Sequence, residues 1–309
     1  MSLAITAQNI SRFYGKFEAL KDVSFQVPKG SVFGFLGPNG AGKTTTLYVL
    51  LGLLPPRTGN MSVLGFDPVR QGDALRSKVG CLLEEPGLYE MLSIKDNLTF
   101  FGKAQGMPEN QISQRIKELL DFFELSDFAK TKAGKLSKGM KQKAALARAM
   151  LATPEMLFLD EPTANLDPES SIAFRDLVQS LAKKHGITVF LNTHRLDEAQ
   201  RICDHIAIIK QGKVLLSGSV ADLLSPSRET TVTIKASGLD DQTASKLGLE
   251  GTPTSITGDI LTIRFCNIEM IPDIVSRCVG LGLRIYEIKP HGMTLEELFM
   301  DVMEGNHVA

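Results

Sequence analysis

Gly37-Pro38-Asn39-Gly40-Ala41-Gly42-Lys43-Thr44, with Thr45 directly behind it, is the stretch that decides the fold. It satisfies the GxxxxGK[ST] pattern in the setting that gives the pattern meaning. The apolar run SVFGFL leads into it and TTTLYVLLGLL leads out, so a strand feeds the loop and a buried helix follows. Glycines let successive backbone N–H groups turn inward around phosphate oxygens, and the helix start adds the positive end of its dipole. In such a loop Lys43 neutralises phosphate charge and Thr44 offers a hydroxyl to Mg2+. The helix is expected to stop at Pro55 and Pro56, which cannot continue it.

Upstream, residues 3–36 alternate apolar and polar positions in ISRFY, VSFQV and SVFGFL, punctuated by YGK and PKG, which predicts strands joined by turns. Downstream, residues 68–134 read as a helical insertion. SIKDNLTFFGKAQ and QISQRIKELLDFFEL are helical, and no long strand follows CLLE near position 82. From Ser137 the order is helix (KGMKQKAALARAMLA), strand (MLFLD), helix (ESSIAFRDLVQSLAKKH), strand (TVFLNT), helix (LDEAQRI). Strands alternating with helices imply a parallel sheet with crossovers. IAIIK-QG-KVLLSG then reads as a hairpin on a Gln-Gly turn.

A polar, proline-containing linker, SPSRE (225–229), ends that plan. TVTIKA, a short helix near Thr243 to Lys246, PTSIT, ILTIRF, the helix IEMIPDIVSRCV and LRIYEIK give β-α-β-β-α-β, the ferredoxin-like split unit. A last helix, TLEELFMDVME, opens on a threonine cap with Glu297 three positions on.

A phosphate loop needs a second acid to hold the metal and position water. MLFLDEP supplies Asp160 at a strand end, placed to reach Mg2+ through water, and the adjacent Glu161, placed to polarise the attacking water. Leu136-Ser137-Lys138-Gly139-Met140-Lys141-Gln142 is a polar turn feeding a long helix, with Ser137 as its natural cap. A helix N-terminus of this kind is also an anion site, and one nucleotide rarely needs two phosphate cradles in one chain.

Composition narrows the classes. The chain has 309 residues, enough for two domains. Its net charge of -1, with acids and bases interspersed, gives no basic field for nucleic acid. Four scattered cysteines and five dispersed histidines form no CxxC pair or zinc box, which predicts free thiols in a reducing compartment and no transition metal. The start, MSLAITAQNISRFYG, has no basic segment before an apolar core, so no signal peptide is expected. The longest apolar stretch, around Leu47 to Leu54, falls short of the about 18–20 residues that cross a bilayer.

Taken in order, Tyr14, GPNGAGKTT, LSKGM, FLDEP, NLD and the histidine of NTH resemble the nucleotide-binding subunit of ABC transporters over about residues 3–224. The resemblance implies an α/β P-loop NTPase of ABC type. An antiparallel β subdomain, a mainly parallel core sheet and a helical subdomain (about 86–152) would lie within residues 1–225, and a small α+β ferredoxin-like accessory domain would occupy 230–309. It implies ATP and Mg2+ as ligands, and a head-to-tail dimer with a second copy or a homologous ATPase. In that dimer the LSKGM of one subunit closes over ATP held by the other's glycine loop. By resemblance Tyr14 stacks on adenine, Gly37, Pro38, Asn39, Gly40, Ala41, Gly42, Lys43, Thr44 and Thr45 bind phosphate, and Ser137 and Gly139 bind it from the opposing subunit. Glu161 is the general base, His194 senses the γ-phosphate, Asp167 in NLD carries signals across the dimer, and Thr44, Glu84 and Asp160 surround the metal.

Two positions depart from the family pattern. Glu84, in CLLEEPGLY, stands where a glutamine is usual. A carboxylate also suits Mg2+, but its charge adds to that of Asp160 and the phosphates. LSKGM replaces LSGGQ, and Met140 cannot make a glutamine's hydrogen bonds. Both departures resemble the branch that pairs with separately encoded six-helix permease subunits, often exporters, which implies a peripheral place on the cytoplasmic face of the membrane. A non-transport ABC ATPase acting on nucleic acid, ribosomes or proteins is the competing class. A single ATPase core, no coiled-coil insertion and no basic stripe speak against it, and Glu161 speaks against a regulator that does not hydrolyse.

Overall fold

The first two strands, β1 (Leu3–Tyr14) and β2 (Phe17–Pro28), form an antiparallel hairpin. Its two-residue turn is opened by Gly15 at φ +60°, a conformation glycine adopts without steric cost. β3 (Val32–Leu36) is buried along its whole length and delivers the chain to the glycine loop, after which α1 (Lys43–Leu50) begins. α1 stops at Leu50, earlier than the prolines predict. Gly52 terminates it at φ +68°, where a Cβ would lie 2.0 Å from the Pro68 carbonyl oxygen. Glycine in the left-handed region is the stronger stop signal here. β4 (Thr58–Val63) was not foreseen, because TGNMSV is short, polar and glycine-bearing. It pairs with β1 to give a sheet ordered β2-β1-β4.

A larger sheet follows. After α2 (Gly72–Arg76) come β5 (Val79–Leu82), α3 (Ile94–Ala104), α4 (Glu109–Phe122), α5 (Lys138–Ala149) and β6 (Met156–Asp160). α6 (Pro168–His185), β7 (Thr188–Thr193), α7 (Leu196–Ile202), β8 (His205–Lys210) and β9 (Lys213–Ser219) complete it. The strand order is β5-β6-β7-β3-β8-β9, parallel except for the edge strand β9. The last hairpin turns through Gln211 and Gly212, both at positive φ, as a primed two-residue turn requires. Buried strands read as continuous apolar runs because both faces are covered, and MLFLD and TVFLNT are buried at every residue.

One aromatic cluster ties the two sheets together. The Phe190 ring centroid lies 5.5–6.0 Å from those of Phe25, Phe33, Phe35 and Phe158, so residues from β2, β3, β6 and β7 share a single hub.

The computed structural model describes residues 2–224, 230–240, 247, 254–265 and 268–305, in two compact units, Met1–Ser219 and Val220–Val308. The second unit holds α8 (Val220–Leu223), β10 (Thr230–Ser237), β11 (Thr254–Thr257), β12 (Ile260–Phe265), α9 (Ile271–Gly280), β13 (Arg284–Gly292) and α10 (Leu295–Glu304). Its antiparallel sheet runs β11-β12-β10-β13. β12 therefore sits between β10 and β11, the split arrangement of a ferredoxin-like unit. Ile234, Leu261, Ile263, Ile274 and Cys278 form its core. The Thr294–Glu297 capping box is present. The helix expected near 243–246 and the linker at 225–229 lie outside the described residues.

Truncating the hub by Phe190→Ala is expected to lower the unfolding free energy of the first unit by about 3–5 kcal/mol. Denaturant unfolding followed by circular dichroism measures it.

Candidate functional site

Parallel pairing aligns the ends of three central strands. Leu36 lies beside Thr193, and Asp160 beside Asn192. The segments leaving β3, β6 and β7 therefore emerge on one edge of the sheet, where open α/β sheets bind ligands. A cleft of about 340 Å³ opens there, lined among others by Tyr14, Asn39, Gly40, Gly42, Lys43, Thr44, Thr45, Glu84, Asp160 and Glu161.

Close packing forces the glycine loop's composition. A Cβ on Gly37 would lie 2.4 Å from the Ile209 carbonyl oxygen, and one on Gly42 would lie 2.9 Å from Leu20. Gly42, at φ +112°, is the N-cap of α1 and provides no side-chain cap. The first-turn N–H groups are thus left facing the cleft for an anion. The Lys43 ammonium is buried, 2.7 Å from the Gly37 carbonyl oxygen, 3.3 Å from that of Pro38 and 3.5 Å from Glu161 Oε1. A buried charge needs such company. Phosphate oxygens would offer the same ammonium stronger, charge-assisted acceptors.

The acids are fixed by different means. Thr44 Oγ1 donates to Asp160 Oδ2 at 3.1 Å, and Asn192 Nδ2 donates to Asp160 Oδ1 at 3.0 Å. Glu161 stands at φ +47°, which costs a non-glycine residue about 1–3 kcal/mol. Its backbone N–H donates to the Asn192 carbonyl at 2.9 Å, which holds the unfavourable conformation. Glu161 Oε1 lies 2.9 Å from His194 Nδ1. Glu161 Oε2 is buried and accepts from no protein donor.

The metal implied by the glycine loop fits this donor set. A hydroxyl and a carboxylate oxygen 3.1 Å apart are hard donors, and Mg2+ takes one or two protein oxygens and completes its shell with phosphate and water. Among the described residues no cluster of three or more His, Cys, Asp or Glu could hold a metal ion.

The model of the ABC transporter family matches residues 20–164. The ABC transporter ATP-binding protein NatA of Bacillus subtilis is 39% identical over 212 residues, 68% of this chain and 86% of that relative. The chain belongs to the ABC transporter ATP-binding proteins. Nod factor export ATP-binding protein I of Burkholderia lata is 34% identical over 298 residues, 96% of this chain and 95% of its own length. Among solved structures, cbiO1 from Clostridium perfringens, part of the ABC transporter complex cbiONQ, superposes with a TM-score of 0.67. It is 28% identical and covers 72% of this chain and 91% of its own. The fold is thus the ABC-type P-loop fold.

Within this ABC ATP-binding chain the remaining expected residues lie elsewhere. Ser137 caps α5, accepting from the Met140 N–H at 3.2 Å, and lines with Gly139 a separate cavity of about 250 Å³. Asp167 caps α6. It accepts from the Ser170 N–H at 2.9 Å and the Ser170 hydroxyl at 2.7 Å, and these donors hold its pKa below the usual carboxylate value. A Cβ on Gly139 would meet that Ser170 hydroxyl at 2.7 Å, so Asp167 and the LSKGM turn share one neighbour. Gly37, Pro38 and Ala41 form the loop itself without lining the cleft as Gly40 does.

Sequence reading missed four contributors. Phe17, the cross-strand partner of Tyr14, is exposed and lines the cleft; a second aromatic beside the YGK turn was the available signal. The Arg12 guanidinium lies 5.4 Å from the Tyr14 ring centroid and covers part of that ring. Gln142 Nε2 donates to the Pro162 carbonyl at 2.7 Å and ties α5 to the segment after Glu161. Asn192 is fully buried directly after the apolar Val189, Phe190 and Leu191, and that buried polarity was the clue.

Asn192→Ala is expected to cost about 1–3 kcal/mol of stability, because a charge-accepting hydrogen bond is lost inside the core. It should also weaken Mg2+-dependent nucleotide binding. Denaturant titration and calorimetry with and without Mg2+ read the two effects.

Proposed function

We propose that this chain hydrolyses ATP as the motor subunit of a membrane exporter. It would act as a head-to-tail dimer with a second copy or a homologous ATPase, closed around two MgATP. Separately encoded transmembrane subunits would dock on it at the cytoplasmic face of the membrane. The observation that carries this reading is the separation of the two anion-binding elements. The glycine loop and the Ser137–Gly139 turn line different cavities of one chain, which supports each being completed by a surface of another subunit.

In this reading Tyr14 stacks on adenine and the loop N–H groups with Lys43 hold the β- and γ-phosphates. Thr44 and Asp160 hold Mg2+, with Glu84 at the cleft wall as a further oxygen donor. Bound there, Mg2+ neutralises charge on the phosphates. Glu161 accepts a proton from the attacking water. His194, bonded to Oε1, fixes that carboxylate and reaches toward the γ-phosphate. Ser137 and Gly139 of the opposing subunit close the site, and Asp167 reports closure across the interface through Ser170.

Export is supported by the relative named for Nod factor export, which matches along nearly the whole chain. A separate membrane part is supported by the helices, since among the described residues none is long and apolar enough to cross a bilayer. An apolar cavity of about 370 Å³ bordered by Leu53, Leu83 and Phe101, with Tyr89, Met91 and Leu92 exposed nearby in sequence, supports docking beside the helical subdomain.

Glu161→Gln is expected to keep ATP binding, lower turnover by about 10²–10⁴-fold and accumulate an ATP-bound dimer on size-exclusion chromatography. Unchanged turnover would remove Glu161 from its role. Tyr14→Ala should weaken ATP binding by about 1–3 kcal/mol, read by calorimetry. Affinity purification from native membranes should bring down a polytopic protein; RNA or ribosomes in its place would favour the non-transport class.

A further inference from the structure

Glu84 lies in the loop between β5 and α3, and its carboxylate makes no hydrogen bond or ion pair among the described residues. Its placement at the cleft is therefore set by how the backbone around it is held. One side chain holds that backbone on both sides. Arg148, in the last turn of α5, donates from Nη1 to the Gly87 carbonyl at 2.7 Å and from Nη2 to the Cys81 carbonyl at 3.4 Å. Cys81 and Gly87 stand symmetrically before and after Glu84 in the sequence. The guanidinium also lies over the Phe101 ring of α3, 5.0 Å from its centroid. Farther along, Asn97 pins the same loop, accepting from the Tyr89 N–H at 2.8 Å and donating to the Tyr89 carbonyl at 3.0 Å.

We infer that Arg148 is a positioning residue that brackets the Glu84 loop and joins it to the helix capped by Ser137. This rests on the ATPase reading above for the meaning of Glu84, but the bracket itself rests on geometry. Gly87 fits the bracket from the other side. It stands at φ +60°, and a Cβ there would lie 2.6 Å from Arg148 Nη1. Glycine both permits the turn and admits the guanidinium. Burial holds the Arg148 pKa below its ordinary value, so this cation depends on the two carbonyls and the ring for its stabilisation. A planar fork can reach two carbonyls at once, whereas a lysine ammonium is a single point charge. Because Ser137 caps the start of α5 and Arg148 lies in its last turn, a shift of the helix on engaging a second subunit would move the Glu84 loop with it.

The test uses the full chain and two substitutions that attack the contact from opposite sides, Arg148→Lys and Gly87→Ala. Amide exchange, equilibrium binding of a non-hydrolysable ATP analogue with Mg2+, and ATPase kinetics over a Mg2+ series are compared with wild type. Both variants are expected to exchange faster at residues 82–90 while residues 37–50 and 156–161 keep their protection. Analogue affinity should hold within about twofold while kcat falls on the order of ten- to a hundredfold, the scale of a misplaced catalytic element. The Mg2+ concentration for half-maximal rate should rise. Wild-type kcat and Mg2+ dependence in Arg148→Lys would overturn the inference. So would exchange rising throughout α3 to α5 with binding lost in proportion, the mark of a merely structural role. The exchange comparison needs no turnover, so it tests the bracket even if the wild-type chain does not hydrolyse ATP. That failure would sink the ATPase reading separately.

Discussion

The parallel register of β3, β6 and β7 is the constraint on which the site depends. Leu36 beside Thr193 and Asp160 beside Asn192 bring three chain segments out at one edge. The chemistry then follows from what each strand is followed by. β3 ends in glycines that cannot carry a Cβ against Ile209 and Leu20, β6 in two adjacent acids, and β7 in a histidine. A slip of one residue in any strand would turn its side chains to the opposite face and leave Asp160 without Thr44 or Asn192. The aromatic hub around Phe190 guards that register, since rings from both sheets would have to repack together.

Buried charge is the cost of this arrangement, and the structure offsets it locally. Lys43 is met by two loop carbonyls and Glu161; Asp160 is met by a hydroxyl and an amide. Glu161 is different. Its backbone is strained and one carboxylate oxygen is unpaired, and an element that violates local preference while its neighbours satisfy theirs is where function concentrates. The same contrast separates Glu161 from Thr163, two residues on, whose hydroxyl donates to the buried Glu198.

Much of the fold was legible because periodicity and punctuation agree over long stretches. The strand–loop–helix at residues 32–50, the apolar runs of β6 and β7, the Gln211–Gly212 turn and the Thr294 capping box all carry local signatures. β4 was hidden because only Met61 and Val63, paired with Ala7 and Ile5 of β1, are apolar in this short, glycine-bearing strand. The end of α1 was misplaced because Gly52, ahead of the prolines, meets Pro68 in space and only the fold shows that contact. At the site, residues within motifs could be read, whereas Gln142 and Arg148 act through carbonyls 20 and 61 residues away. Hydrogen bonds to distant backbone leave no periodic trace.

The central claim is that one chain carries two halves of two different sites. Mixing two variants tests it most directly. Lys43→Ala removes the phosphate-binding cation and keeps the LSKGM turn; Ser137→Arg blocks that turn and keeps the glycine loop, so it should still bind ATP. Each alone should be nearly inactive as an ATPase, and their mixture should recover turnover well above either, because a mixed dimer rebuilds one intact site. Full activity of Ser137→Arg alone, or no recovery when the two variants, each shown to be folded, are mixed, would contradict a composite site.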